Sequence, residues 1–364
     1  MGGARAVAAA LLIAASACAD SPTGPARSDP IDLALDWKTA TPASQRIQAD
    51  RLEEAVAHAR SLPRLLSLLV VRHGRLVLEE YFNGNHADSL NDVRSVTKSV
   101  IGTLVGTAIQ RGVLPAAGDP IGNYLRPPIL ELQPDKAAIR VRDLLTMSGG
   151  FLWDESTTLG YNEWILSGDY LGYLLDRPLV AAPGATFNYN SAAVHLLSVT
   201  LAVAAGGPLD AFADRELFAP LGIRRVRWEI LPDNFPNGSS GIDLRPRDLA
   251  KLGALWLQGG RSGDRQILPA AFVQEGTQPA FPWWQTAAPL RGQSYGFLWW
   301  LTRDTPPASG FYASGHGGQF VWVAPDLDAV IVVTTDWRNS NGLANQFSAN
   351  GLDLIVNHVL PAFR

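Results

Sequence analysis

Two strand hairpins sit at opposite ends of this 364-residue chain, and they limit its folding more than any other feature. Near the start, "LLSLLVVRHGRLVLEEYF" reads as two strands around the turn His73-Gly74-Arg75. Near the end, "GQFVWVAPDLDAVIVVTTD" gives an apolar strand from Phe320 to Val323, a turn at Pro325 to Asp328, and a strand from Ala329 to Thr335. From Pro115 to about Trp284 the chain is rich in Pro, Gly and short helical patterns, among them "IRVRDLLTMSGG" and "SAAVHLLSVTLAVAAGG". Strands at both ends with a helical middle predict one α/β lobe, about 43–114 and 285–364, and a mostly helical lobe inserted over about 115–284. The amphipathic stretch "QADRLEEAVAHARSL" and a segment from about Gly342 to Leu360 supply flanking helices. The cleft between the lobes is then the default site.

The N-terminus reads as separate from the fold. Arg5 precedes "AVAAALLIAA", an apolar run of about ten residues, too short to span a bilayer. Small residues then lead to Cys18, so residues 1–17 are expected to be a secretory signal peptide and the protein to be exported, periplasmic or at the cell surface. Cys18 is the only cysteine, and it stands where a bacterial lipoprotein signal places its lipidated residue. Plain secretion with cleavage after Ala17 is the alternative, because "AASAC" lacks the usual leucine three residues before the cysteine. Residues 18–42, including "ADSPTGPARSDP", read as a flexible tether to a membrane. Disulfides within the chain are excluded. Net charge is −4 with no basic cluster, so nucleic acid is not an expected partner.

The stretch "VRSVTKSVIGTLVGTAIQRG" holds a contradiction. From Val96 onward it predicts a helix with one apolar face, through Val96, Val100, Leu104 and Ala108. Yet Lys98 falls in the first turn, where the helix dipole disfavours a cation, in a chain with only three other lysines, Lys38, Lys136 and Lys251. Ser95 and Lys98 are three apart, so on a helix their side chains share a face, roughly 5–6 Å apart at Cβ. A serine hydroxyl is a poor nucleophile until a base removes its proton. Lysine becomes that base when burial lowers its pKa, and the first turn offers free N–H groups to an oxyanion. The bland alternative is that Ser95 caps the helix and Lys98 extends to water. Read alone, Tyr189 after a Pro-Gly is a packing residue, and His316 in a Gly-rich loop is a surface residue.

"SVTKS", "LLTMSGG", "PGATFNYNS" and "SGHGGQF" occur in this order. Their spacing resembles that of the serine hydrolases related to class C β-lactamases, a superfamily of penicillin-binding peptidases, lactamase-like esterases and 6-aminohexanoate-oligomer hydrolases. The resemblance covers about Ala43 to the C-terminus and implies a β-lactamase-like α/β fold, an antiparallel sheet flanked by helices. It makes Ser95 the nucleophile and Lys98 the base. The family's Tyr-x-Asn element corresponds to Tyr189-Asn190-Ser191, with Tyr189 passing a proton to the leaving group and Ser191 replacing the asparagine. Its Lys-Thr-Gly element corresponds to His316-Gly317-Gly318, and the N–H of Gln319 joins that of Ser95 as the oxyanion hole. Histidine in place of lysine is mostly neutral at pH 7, so penicillin carboxylates lose a permanent cation, and any β-lactam turnover should strengthen toward pH 6, provided Lys98 still functions as a base.

No Gly-x-Ser-x-Gly elbow and no zinc motif are present, and no cofactor is implied. His58, His73, His86, His195 and His358 are scattered without ligand spacing, and His195 lies on an apolar helical face. In each of the pairs Trp283-Trp284 and Trp299-Trp300, one ring is expected to pack inward and the other to line the cleft. The reading is a secreted serine hydrolase that cleaves a small-molecule ester or amide through an acyl-serine. The alternatives are a penicillin-binding sensor, a β-lactamase or D-amino peptidase of the same fold, and a silent structural lipoprotein.

Overall fold

The computed structural model describes residues 29–127, 130–157, 160–338, 340 and 342–363, so the expected leader and Cys18 lie outside the described residues. Its frame is an eight-stranded sheet. Strands β1 (Leu65–Arg72) and β2 (Arg75–Tyr81) form the first hairpin. Its two-residue turn holds His73 at φ 48° and Gly74 at φ 68°, the doubly left-handed geometry that matches strand twist in a tight hairpin. The remaining strands are β3 (Trp284–Gln285), β4 (Gly292–Tyr295), β5 (Trp300–Arg303), β6 (Gly310–Gly315), β7 (Gln319–Ala324) and β8 (Ala329–Thr335). Their order is β2-β1-β8-β7-β6-β5-β4-β3, and every neighbouring pair is antiparallel. The first strand therefore pairs with the last, with Leu68 opposite Val333 and Val70 opposite Ile331.

Five helices carry the rest of the argument: α1 (Ala49–Ser61), α2 (Val96–Gln110), α3 (Ser191–Ala205), α4 (Pro246–Leu257) and α5 (Ala344–Asp353). The last continues through π-helical turns over Leu354–Val359. Both faces of the sheet are covered, which is why β1 reads as a nearly continuous apolar run, broken only at Ser67 before Arg72, instead of an alternation. Leu68, Val70, Trp322 and Ile331 pack with Leu52, Ala55 and Ala59 of α1 and with Ile355 and Val359. Leu69, Val71, Val321 and Val332 face the other way, into a core shared with α2, α3 and α4. The two hairpins and the antiparallel sheet between helices are as expected.

Three expectations need correction. Helix α2 does not present one apolar face, because every residue from Val96 to Ala108 is buried. Two of its threonines donate within the helix, Thr103 to the Ser99 carbonyl at 2.7 Å and Thr107 to that of Thr103 at 3.0 Å, and Thr97 accepts from the Ile242 N–H at 3.3 Å, so a helix of mixed composition can lie in the interior. The tether ends earlier than residue 42. Leu33 is only 1% exposed, the N–H of Ile31 donates to Gln258 at 2.9 Å, and that of Ala40 to the Leu76 carbonyl at 3.0 Å. Finally, α4 falls in the range read as the helical lobe but lies on the sheet. A Cβ on Gly253 would come within 2.7 Å of Val330 and 2.9 Å of Val321, so its backbone rests directly on β8 and β7.

Candidate active site

Ser95 occupies the N-cap of α2, just after Arg94, whose φ is 49°. A capping serine normally accepts a hydrogen bond from the first turn, yet the Ser95 side chain makes no capping bond. Its Oγ is held instead by Lys98 Nζ at 2.9 Å. Lys98 is 1% exposed, and its Nζ also donates to the Ser239 carbonyl at 2.6 Å. Capping and extension to water are thus both ruled out. Burial pushes the Lys98 pKa down to about 7, with Glu155 opposing and Arg94 adding to the shift. At neutral pH much of the amine is therefore neutral, and a neutral amine within hydrogen-bond distance of Ser95 Oγ can take its proton.

The Ser239 carbonyl is itself anchored. Asn237 Oδ1 accepts from the Ser239 N–H at 3.0 Å, the Ser239 hydroxyl at 2.7 Å and the Ser240 N–H at 3.2 Å. His195 on α3 is fully buried, as expected, but it is polar in use. The Gly238 N–H donates to its Nδ1 at 3.4 Å, so Nε2 carries the proton and donates to Asp233 Oδ2 at 2.8 Å. The lysine thus meets a carbonyl fixed by two buried side chains.

Tyr189 precedes α3, whose N-cap Asn190 accepts from the Ala193 N–H at 2.9 Å. Its ring stacks on Trp300 with centroids 5.8 Å apart, and Lys98 Nζ lies 5.1 Å from the ring centroid. Burial, then Glu155, holds the phenol well above its ordinary pKa, while a hydrogen bond with Ser95 pulls the other way. Tyr189 is therefore a protonated hydroxyl beside the serine. His316 sits in the turn between β6 and β7, which is closed by the Gly318 N–H on the Gly315 carbonyl at 3.3 Å. Gly317 at φ 77° fills the third position of that turn, and a Cβ there would lie 2.3 Å from Trp337 Cβ. Burial, helped by Arg94, keeps the His316 pKa below its ordinary value.

Ser95, Tyr189 and His316 line one cavity of about 510 Å³ together with Arg94, Glu155 and Trp300. Lys98 lies buried beneath it. Gly317, Gly318 and Gln319 are not among the residues that line it; the edge beside Ser95 is Ser314, Gly315 and His316. Gln319 is fully buried, and its carboxamide ties β7 to β8, donating to the Thr335 carbonyl at 2.8 Å and accepting from the Thr335 N–H at 3.1 Å. The glycine whose missing side chain matters here is Gly315, where a Cβ would sit 2.3 Å from the Val93 carbonyl oxygen. Trp299 packs inward and Trp300 lines the cavity, as expected, whereas neither Trp283 nor Trp284 reaches it.

Two charged residues of the cavity had no motif to announce them. Glu155 accepts from Trp153 Nε1 at 2.7 Å, from the Ser191 N–H at 3.1 Å and from the Ser191 hydroxyl. The serine that replaces the family's asparagine is thus committed to Glu155. Arg94 lies with its guanidinium 4.3 Å over the Trp337 ring, and its Nε is buried without a hydrogen-bond partner among the described residues. The one local signal was its position immediately before the serine.

Fold and site together define a β-lactamase-fold serine hydrolase. The chain belongs to the beta-lactamase family, whose model matches residues 50–350. It is similar to the 6-aminohexanoate-dimer hydrolase of Paenarthrobacter ureafaciens, at 25% identity over 360 residues, covering 89% of this chain and 86% of that one. Among solved structures, a candidate 6-aminohexanoate-dimer hydrolase from Bacillus anthracis has a TM-score of 0.67 at 20% identity, covering 91% of this chain and 89% of that one. An octameric penicillin-binding protein homologue from Pyrococcus abyssi has a TM-score of 0.65 at 16% identity, covering 86% and 78%.

Proposed function

We propose that the protein hydrolyses a small ester or linear amide through an acyl-Ser95 intermediate. The observation that carries this reading is the buried Lys98 amine, 2.9 Å from Ser95 Oγ with its pKa lowered to about 7. Lys98 takes the hydroxyl proton as Ser95 Oγ attacks the carbonyl carbon. The oxyanion meets the N–H of Ser95 at the start of α2 and the backbone of the Ser314–His316 edge, with the N–H of His316 in the role first expected of Gln319. As the tetrahedral species collapses, the Tyr189 hydroxyl gives its proton to the leaving oxygen or nitrogen and recovers one from Lys98. Water then attacks the acyl-enzyme, loses its proton to the same pair, and releases the acid and free Ser95.

The cavity carries both a cation, Arg94, and an anion, Glu155, around an aromatic wall at Trp300. That mixture suits a short substrate with polar ends, and the name of the Paenarthrobacter relative places the 6-aminohexanoate dimer in the first test panel beside acyl esters. The order of Arg5, apolar run and Cys18 supports export with a lipid on Cys18, hence a protein tethered to a membrane surface.

The test is turnover of p-nitrophenyl acetate. Steady release supports a hydrolase, and a single stoichiometric burst identifies an acylated sensor instead. Ser95→Ala should abolish labelling by a fluorophosphonate probe while leaving the circular dichroism unchanged. Lys98→Ala should reduce kcat/KM by the roughly 10²–10⁴-fold typical of a lost general base, and activity within a few-fold of the parent overturns its role.

A further inference from the structure

We infer that His58, Asp353 and His358 form a zinc-type metal site that clips the first helix of the fold to its last helical segment. The two histidines come from opposite ends of the chain, His58 from α1 and His358 from the π-helical extension of α5. Their rings face each other with centroids 3.8 Å apart. Asp353 Oδ2 lies 3.7 Å from His58 Nε2 and 3.4 Å from His358 Nε2. All three ligand atoms fall within 4.8 Å of one another. Nitrogen and oxygen ligands about 2.0–2.1 Å from a tetrahedral zinc stand roughly 3.3 Å apart, so both Asp–His edges are already near the required length. The imidazoles need only splay from their stacked arrangement.

Three further observations point to the same ligand. First, residues five apart on a regular α-helix lie about 140° apart around the axis, too far to share a ligand. The wider π turns over Leu354–Val359 bring Asp353 and His358 together, and such turns are uncommon and concentrate at functional sites. Second, Asn357 Nδ2 donates to Asp353 Oδ1 at 2.7 Å, which leaves Oδ2 turned toward the histidines as an oriented ligand. Third, among the described residues His58 Nε2 is buried with no hydrogen-bond partner, a polar atom of the kind that a metal satisfies.

Two imidazoles and one carboxylate suit zinc or a neighbouring transition metal; calcium and magnesium prefer all-oxygen shells. The side chains are 30%, 43% and 33% exposed, which leaves the fourth position to water. The site lies with α1 on the face of the sheet opposite α2, so the metal acts on stability and not on the chemistry at Ser95.

The experiment is calorimetric titration of zinc into the full chain carrying Cys18→Ser, which removes the competing thiol. Cobalt provides a second readout through its visible d–d absorption. We expect one equivalent bound, tetrahedral cobalt bands, and an unfolding temperature raised by several degrees at saturating zinc. His58→Gln and His358→Gln should each weaken binding at least tenfold and erase the thermal shift, with circular dichroism and ester turnover as in the parent. His86→Gln, at an exposed histidine elsewhere, should bind as the parent does. No uptake at 0.1 mM zinc overturns the site, as does equal binding by both histidine variants or equal loss in His86→Gln. If His58→Gln fails to fold, His358→Gln decides alone.

Discussion

Ser191 gives both its hydroxyl and its backbone N–H to Glu155, which fixes a carboxylate to the first turn of α3, two residues after Tyr189. From there Glu155 acts through space on the lysine and the tyrosine, raising the pKa of each.

Glu155→Gln tests this relationship. A nearby carboxylate favours the charged form of Lys98, so removing it should lower the lysine pKa below its present value of about 7. The acidic limb of kcat/KM against pH, which reports the free enzyme, should then move to lower pH. An unmoved limb with a lower plateau would mean that Glu155 only braces the loop.

The buried lysine should also be visible in stability. Its pKa is about 7 in the fold against 10.5 when unfolded, so between these values the unfolded chain binds more protons and stability rises with pH. The gain is complete above about 10.5 and lost below about 7. From pH 7 to 9 it amounts to about 2 kcal/mol. Urea unfolding at both pH values should show that increment in the parent and lose it in Lys98→Met. Parallel behaviour of the two proteins would sink the claim.

Substrate charge gives a third prediction, and here the structure removes the condition on which the sequence expectation depended, a lysine still working as a base at pH 6. Burial holds His316 below its ordinary pKa, so it gains less charge on acidification than an unperturbed histidine, while Lys98, at about 7, is mostly protonated and lost as a base by pH 6. Nitrocefin turnover should therefore fall between pH 8 and pH 6 and stay below that of p-nitrophenyl butyrate throughout. A rise in nitrocefin kcat/KM toward pH 6 would restore the earlier expectation.

For the leader, the proposal is that Cys18 carries acyl chains. The parent expressed in a bacterial host should then sediment with membranes, and Cys18→Ser should be released to the soluble fraction. A fully soluble parent rules lipidation out.

The sequence by itself determined the features that depend on near neighbours along the chain. Ser95 and Lys98 are one helical turn apart, so their meeting follows from helix geometry alone. The turns at His73-Gly74 and Pro325 to Asp328 announce their hairpins for the same reason. Ordered motifs added Tyr189 and His316, because family spacing stands in for contacts that a single chain does not display. Only the tertiary structure decided the rest. Whether Lys98 extends to water or is desolvated depends on α2 being enclosed on every side. Glu155 reaches the site because its loop meets α3. Gln319 is not among the residues that line the cavity, and its side chain joins β7 to β8. His58 and His358, unrelated in sequence, become neighbours because the first strand pairs with the last and draws both chain ends onto one face of the sheet. Desolvation and long-range pairing belong to the packed molecule, and no local pattern encodes them.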